Sequence, residues 1–345
     1  MSEFGASVFS SFESLSPCLQ EQHWGLHGGA DRDNCTIIYE NLNACSGLNP
    51  MAKRNYACDK HITAYFHDES LDEVGYEPFT KQLYQCLISQ SLWMKGQIEL
   101  HRNSNSFGLL IWQLNEIWPT GGWGLVEYGI EGNGQILGGR WKPLMHLLQR
   151  SLFRDVFATC GWSKSTSLVN GQRIGCYVRN DGVNIFSGHV RVEEYDLVLG
   201  GTRLILDAHV TLNSEGDISY FYPSIANFNI SSNVLMVEVT NDEGEIAMGQ
   251  NTILFSLPRD LHGLERDVQV SILMVAFKKH DGGYIEIVLI ANKTALYVTL
   301  FCKYGSRFSD NAFAMRANNT KVSNEERILD TFLEVLNSII LNLFD

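Results

Sequence analysis

Apolar residues recur at helical spacing in two stretches of the chain. Phe79, Leu83, Cys86, Leu87, Trp93, Met94 and Ile98 fall on one stripe, predicting a long amphipathic helix from Phe79 to Arg102 with one buried face. Trp141, Leu144, Met145, Leu148 and Leu152 repeat the spacing and predict a second helix. Between them, Phe107-Gly108-Leu109-Leu110-Ile111-Trp112 is an unbroken apolar run of strand length, the pattern of a parallel strand buried on both faces. Helix, buried strand, a Gly- and Trp-rich loop over 113–139, then helix is the rhythm of an α/β barrel. Residues 1–60 read as loop, punctuated around Trp24-Gly25-Leu26-His27-Gly28-Gly29.

The pattern changes near Thr159. Short β-rich segments follow, separated by turn signals such as Arg179-Asn180-Asp181-Gly182, Asn213-Ser214-Glu215-Gly216, Asn241-Asp242-Glu243-Gly244 and Asp281-Gly282-Gly283. Such a succession predicts β-sandwiches, one over 159–257 and a second, apparently incomplete, over 258–322, with the charged stretch after Pro258 as linker. The tail, 323–345, predicts an amphipathic helix: Ser323-Asn324-Glu325-Glu326 is a capping box, and Ile328, Phe332, Val335, Leu336, Ile339 and Leu343 follow at helical spacing.

Composition narrows the function classes. With 39 acidic against 26 basic residues, the formal charge is -13, which argues against a nucleic-acid partner, since counterion release needs clustered Lys and Arg. No apolar run approaches the roughly 18 residues of a membrane-spanning helix. Eight cysteines are scattered without a Cys-x-x-Cys pair, which disfavours a zinc ribbon. His23 and His27 stand at i, i+4, yet Gly25 between them disfavours the helix a metal pair would need. No signal peptide begins the chain, and four Asn-x-Ser/Thr sequons (Asn34, Asn229, Asn292, Asn318) leave the compartment open.

The strongest chemical signal is Trp112-Gln113-Leu114-Asn115-Glu116-Ile117-Trp118-Pro119, then Gly122-Trp123-Gly124 and Gly139-Arg140-Trp141-Lys142. Trp rings at the mouth of a barrel strand offer flat apolar platforms on which sugar rings stack, while Asn, Gln and carboxylates bond the hydroxyls. With Ser2-Glu3-Phe4-Gly5 far upstream, these motifs resemble the β-mannosidases of glycoside hydrolase family two. The resemblance implies that residues 1–158 are the C-terminal portion of a (β/α)8 TIM barrel, strands seven and eight with their helices, followed by immunoglobulin-like β-sandwiches. It implies a retaining, exo-acting hydrolase that releases β-linked mannose from non-reducing ends of oligosaccharides or glycans, without a cofactor, metal or membrane. Glu3 then takes the place of the catalytic nucleophile, with Trp112, Asn115, Glu116, Trp118 and Trp123 at the sugar. In that family the acid/base is the Glu of an Asn-Glu pair that precedes the nucleophile, so Asn115-Glu116 does not match it. Little activity is therefore expected of these residues alone, and a non-catalytic carbohydrate-binding or interaction module is the alternative. The family also implies a lysosomal, vacuolar or secreted setting and says nothing of oligomeric state.

Overall fold

The computed structural model describes residues 3–28, 51, 56–67, 70–106, 108–117, 121–132, 135–137, 139–161, 173–264, 268–278, 284–302, 307–326 and 339–342. Sheets dominate, with few helices.

The long helix predicted from the apolar stripe spans Tyr76–Asn103 (α2), after a shorter one at Tyr56–Phe66 (α1). Gly75, at φ 113°, starts α2; Glu77 lies in its first turn and His101 and Arg102 in its last, as the helix dipole favours. Its inner face buries Phe79, Leu83 and Leu87 against Phe9, Phe12, Leu15 and Leu26 of the N-terminal segment, and a Cys58–Cys86 disulfide joins it to α1. The second predicted helix is Pro143–Leu147 (α3), continued by a π-turn over Leu148–Leu152. A small hairpin, Ile130–Gly132 (β1) with Gln135–Leu137 (β2), precedes it.

Two sheets then stack around a shared core. Val156–Cys160 (β3), Cys176–Asn180 (β4) and Asp217–Phe221 (β7) form one, in the order β3-β4-β7. Phe186–Asp196 (β5), Thr202–Leu212 (β6), Asn233–Asn241 (β8) and Ile246–Ile253 (β9) form the other, in the order β6-β5-β8-β9. Phe157, Val178, Val190, Val192, Val237 and Val239 fill the space between, and Cys160 is bonded to Cys176, its direct partner in the ladder. All these pairings are antiparallel, as the turn signals required.

A second pair of sheets follows. Val270–Lys278 (β10), Tyr284–Ala291 (β11), Arg307–Phe308 (β13) and Thr320–Glu326 (β15) run in the order β10-β11-β15-β13, facing Ala295–Cys302 (β12), Phe313–Met315 (β14) and Ile339–Asn342 (β16). At both described ends of the expected C-terminal helix the structure has strands instead. Ser323-Asn324-Glu325-Glu326 belongs to β15, where Ser323 pairs with Ile287, and Ile339 pairs with Cys302 on β12. A capping box is local information, whereas the open edges of β11 and β12 offer complete ladders of backbone hydrogen bonds, and a short isolated helix is marginal in water. The unit thus extends to Asn342, past the boundary expected at 322; residues 327–338 lie outside the described residues.

The expected barrel strand is also changed. Phe107 lies outside the described residues, and 108–112 form a single parallel bridge, Ile111 to Phe4. Leu110 is 66% exposed, so this run is not buried on both faces; among the described residues it has a neighbour on one side, the Phe4 segment. A barrel is not visible as such among the described residues.

The last turns of α2 are fastened to the first sandwich by charge. Glu99, 1% exposed, takes Lys95 at 2.6 Å, the Thr159 hydroxyl at 3.0 Å and the Asn251 amide at 2.9 Å on Oε1, while its carbonyl accepts from Tyr177 at 3.0 Å. Arg102 donates to the carbonyls of Leu152 and Arg154, pairs with Asp181 at 2.6 Å, and lies over the Phe157 ring. Removing one partner of such a buried pair strands the other charge. Glu99→Ala should therefore lower the unfolding free energy by about 3–5 kcal/mol in urea titration. Deleting 320–345 removes β15 from between β11 and β13 and should lower the melting temperature.

Candidate active site

The N-terminal strand sets the site. Phe4 donates to Leu110 at 3.1 Å and accepts from Trp112 at 2.9 Å, and its ring joins the core with the His101 ring 5.8 Å away. Its neighbours Glu3 and Gly5 therefore face the other way, since side chains alternate along an extended chain. On that face Gly5 packs so closely that a Cβ would collide with the Trp112 carbonyl oxygen and touch Trp123 Cδ1. Only glycine fits there. Glu3 is exposed, and the indoles of Trp112 and Trp123 are 49% and 40% exposed, high values for such large apolar groups. An exposed carboxylate and two exposed tryptophans thus lie on segments that meet at Gly5.

The loop that follows Trp112 folds back on itself. The Trp112–Gln113 peptide is cis, Gln113 donates to the Trp123 carbonyl at 3.1 Å, and Val126 lies between Asn115 and Trp141 in two bridges. Glu116 was expected at the sugar, but the structure turns it inward. It is 4% exposed, ion-paired with the fully buried Lys142, and accepts the Gly124 amide at 3.1 Å. A Cβ on Gly124 would run into the Glu116 backbone, so the Gly-Trp-Gly turn is fitted to this pair. Desolvation is the reason for the inward turn: a buried lysine needs a carboxylate, and Glu116 supplies it. Asn115 remains exposed, donating to the Glu116 carbonyl at 3.2 Å. Trp118 lies outside the described residues.

Two further carboxyls were not singled out in the sequence. Glu127, 2% exposed, accepts from the Ser11 amide at 2.6 Å, the Ser11 hydroxyl at 2.7 Å and the Ser14 hydroxyl at 2.5 Å. Glu13 is buried nearby, which pushes its carboxyl above the ordinary value. Arg140 bonds Ser14 at 2.6 Å and the Cys302 carbonyl, linking this layer to the end of β12. No spacing rule flags these residues, because their partners lie more than a hundred positions away in sequence.

Known proteins resemble the chain in sequence and in fold. A family model for the mannosidase-type Ig-fold domain matches residues 266–322, the second pair of sheets. β-Mannosidase of Bos taurus is 27% identical over 163 residues, covering 44% of this chain and 16% of that protein. β-Mannosidase A of Aspergillus oryzae is 26% identical over 198 residues, covering 56% and 18%. The crystal structure of β-D-mannosidase from Dictyoglomus thermophilum superposes with a TM-score of 0.71 at 19% identity, over 100% of this chain and 37% of that one. The chain is β-mannosidase-like. The matched stretches span less than a fifth of the curated relatives' length. An exo-chitosanase of Amycolatopsis orientalis shares the fold at 12% identity, with a TM-score of 0.61 over 99% of this chain and 41% of that one.

Elsewhere on the β-mannosidase-like frame, His27 is held between two carboxylates. Its Nε2 meets Asp59 at 2.9 Å and its Nδ1 meets Asp72, while His23 sits buried in the short turn Glu21–His23. The hydrogen bond to Asp59 is the main reason the His27 pKa is raised; partial burial opposes it and Asp72 adds to it. The imidazolium therefore ties the 24–28 loop to α1. Its stabilisation is complete below the ordinary histidine pKa of about 6.5 and fades as pH rises through the higher folded-state value. Urea titrations of the native chain and of His27→Gln should differ most on the acid side of neutrality and converge as the pH becomes alkaline.

Proposed function

We propose that this chain carries the nucleophile side of a retaining, exo-acting β-mannosidase site. What supports it is that Gly5, two residues from Glu3, packs against the Trp112 carbonyl and the Trp123 ring, with Glu3 and both tryptophans exposed. Glu3 attacks the anomeric carbon of a terminal β-mannosyl unit while the bond to the leaving oxygen breaks, giving a glycosyl-enzyme that water then hydrolyses. Trp112 and Trp123 support the apolar face of the sugar, and Asn115 is placed to bond a hydroxyl. Glu116 is withdrawn from this role by its pairing with Lys142.

Retention needs a second carboxyl about 5–5.5 Å from the first. Of the buried carboxyls around the loop, Glu116 and Glu127 are engaged by structural partners, and nothing brings Glu13 to that distance from Glu3. Among the described residues the nucleophile thus has no acid/base assigned to it, a lack that costs about 10²–10⁴-fold in rate. Turnover of p-nitrophenyl β-mannoside by the 345 residues should accordingly be very low.

Trapping separates nucleophile from acid/base, because a dinitrophenyl leaving group departs without protonation. A 2-deoxy-2-fluoro-β-mannoside bearing that group should label the peptide containing Glu3, and Glu3→Gln should abolish labelling. A label on another residue, or one that survives Glu3→Gln, would overturn the assignment. Running the β-glucosaminide analogue in parallel decides sugar identity, with the mannoside expected to label faster.

A further inference from the structure

The open face of the β6-β5-β8-β9 sheet carries ligating side chains on a different domain from the tryptophan edge. His189 on β5 lies directly opposite His209 on β6, and Asp242 follows β8, whose Thr240 also pairs with His189. All three are about half exposed, and one ligating atom from each lies within 4.8 Å of the others. The two imidazoles meet edge to face, with centroids 5.1 Å apart. Asp242 Oδ1 stands 2.9 Å from His209 Nε2, and the Ser187 hydroxyl stands 3.3 Å from the same nitrogen. Asp207 engages Nδ1 of His189 at 3.2 Å.

We propose that His189, His209 and Asp242 form a surface site for a divalent transition-metal ion of the zinc or copper class. Two imidazoles and one carboxylate are a donor set suited to those ions and not to calcium or magnesium, which take oxygen ligands. Ligand atoms around a tetrahedral zinc stand about 3.3 Å apart, given metal–ligand bonds of about 2.0–2.1 Å. Reaching that spacing needs exposed side chains to shift by up to about 1.5 Å, closing the wider gaps and opening the Asp242–His209 contact, on a backbone the paired strands already fix. Coordination through Nε2 leaves the Nδ1 contact with Asp207 in place, and that carboxylate then holds the ring's tautomer and orientation. As surface ion pairs alone these contacts contribute little. With an ion bound, they join three adjacent strands, and water completes the coordination shell.

Calorimetric titration of the full chain with zinc chloride in chelator-treated buffer tests this directly. One ion should bind, with a dissociation constant on the order of 10 μM. His189→Ala or His209→Ala should each weaken binding by at least about tenfold, and Asp207→Asn should weaken it by about tenfold without changing the stoichiometry. His67→Ala, at a remote exposed histidine, should leave it unchanged. All these side chains are exposed, so the metal-free variants should melt with the native chain. Bound copper(II) should show hyperfine coupling to two imidazole nitrogens in the native chain and to one in either single variant. No zinc bound below millimolar concentration, or equal binding by the His189→Ala/His209→Ala double variant, would overturn the site.

Discussion

A carboxylate taken out of water must be met by donors or it destabilises the structure that holds it. Glu99 is where that rule organises this chain. Its side chain collects Lys95, Thr159 and Asn251, one donor from its own helix and one from each sheet of the first sandwich, and its carbonyl takes Tyr177. About four turns earlier Tyr84 donates to the Tyr297 carbonyl at 2.8 Å, so α2 reaches the second sandwich as well. Helix and first sandwich share one core, in which Ile98, Phe157 and Val237 are continuous with Leu296 of β12, while the rest of the second sandwich packs around a core of its own. Because the N-terminal segment packs on α2, the edge that carries Glu3 is positioned through this same helix.

The loop that bears the tryptophans divides its polar residues between holding and contacting. Glu116, Glu127, Arg140 and Lys142 are all buried, and each is matched to a partner inside the protein. The indoles of Trp112 and Trp123 are left open above them. Rigid, well-paired charges under exposed aromatic surface suit a platform that has to keep its shape when a polar ligand arrives.

How much of this was legible in the sequence depended on how far apart the partners lie. The helical stripe from Phe79 to Ile98 is local information, and α2 appears almost to the residue. The capping box at Ser323 is equally local, but distant edges on β11 and β12 captured those residues as strands. Glu116 and Asn115 are neighbours of the same polar type, and nothing in the motif told which would turn inward; Lys142, on the far side of the loop, decided it. The opposition of His189 and His209 was hidden by a single residue. Tyr195 pairs with Thr202, and continuing that register would set His189 against Ala208; a bulge at Ile205 shifts the ladder by one and brings His209 across instead. The motifs around Trp112 and Trp123 carried the family likeness because they are contiguous.

Many of the joints between distant segments end on main-chain oxygen. Arg140 reaches the Cys302 carbonyl, Arg150 those of Gln250, Asn311 and Ala312, Arg102 those of Leu152 and Arg154, and Tyr84 that of Tyr297. A carbonyl is present whatever the side chain, so the accepting half of each joint is indifferent to substitution. The donors are pinned, one arginine or tyrosine at a time, while the strands that receive them are free to drift. Over evolutionary time the trailing sheets can change most of their letters and still be gripped in the same place.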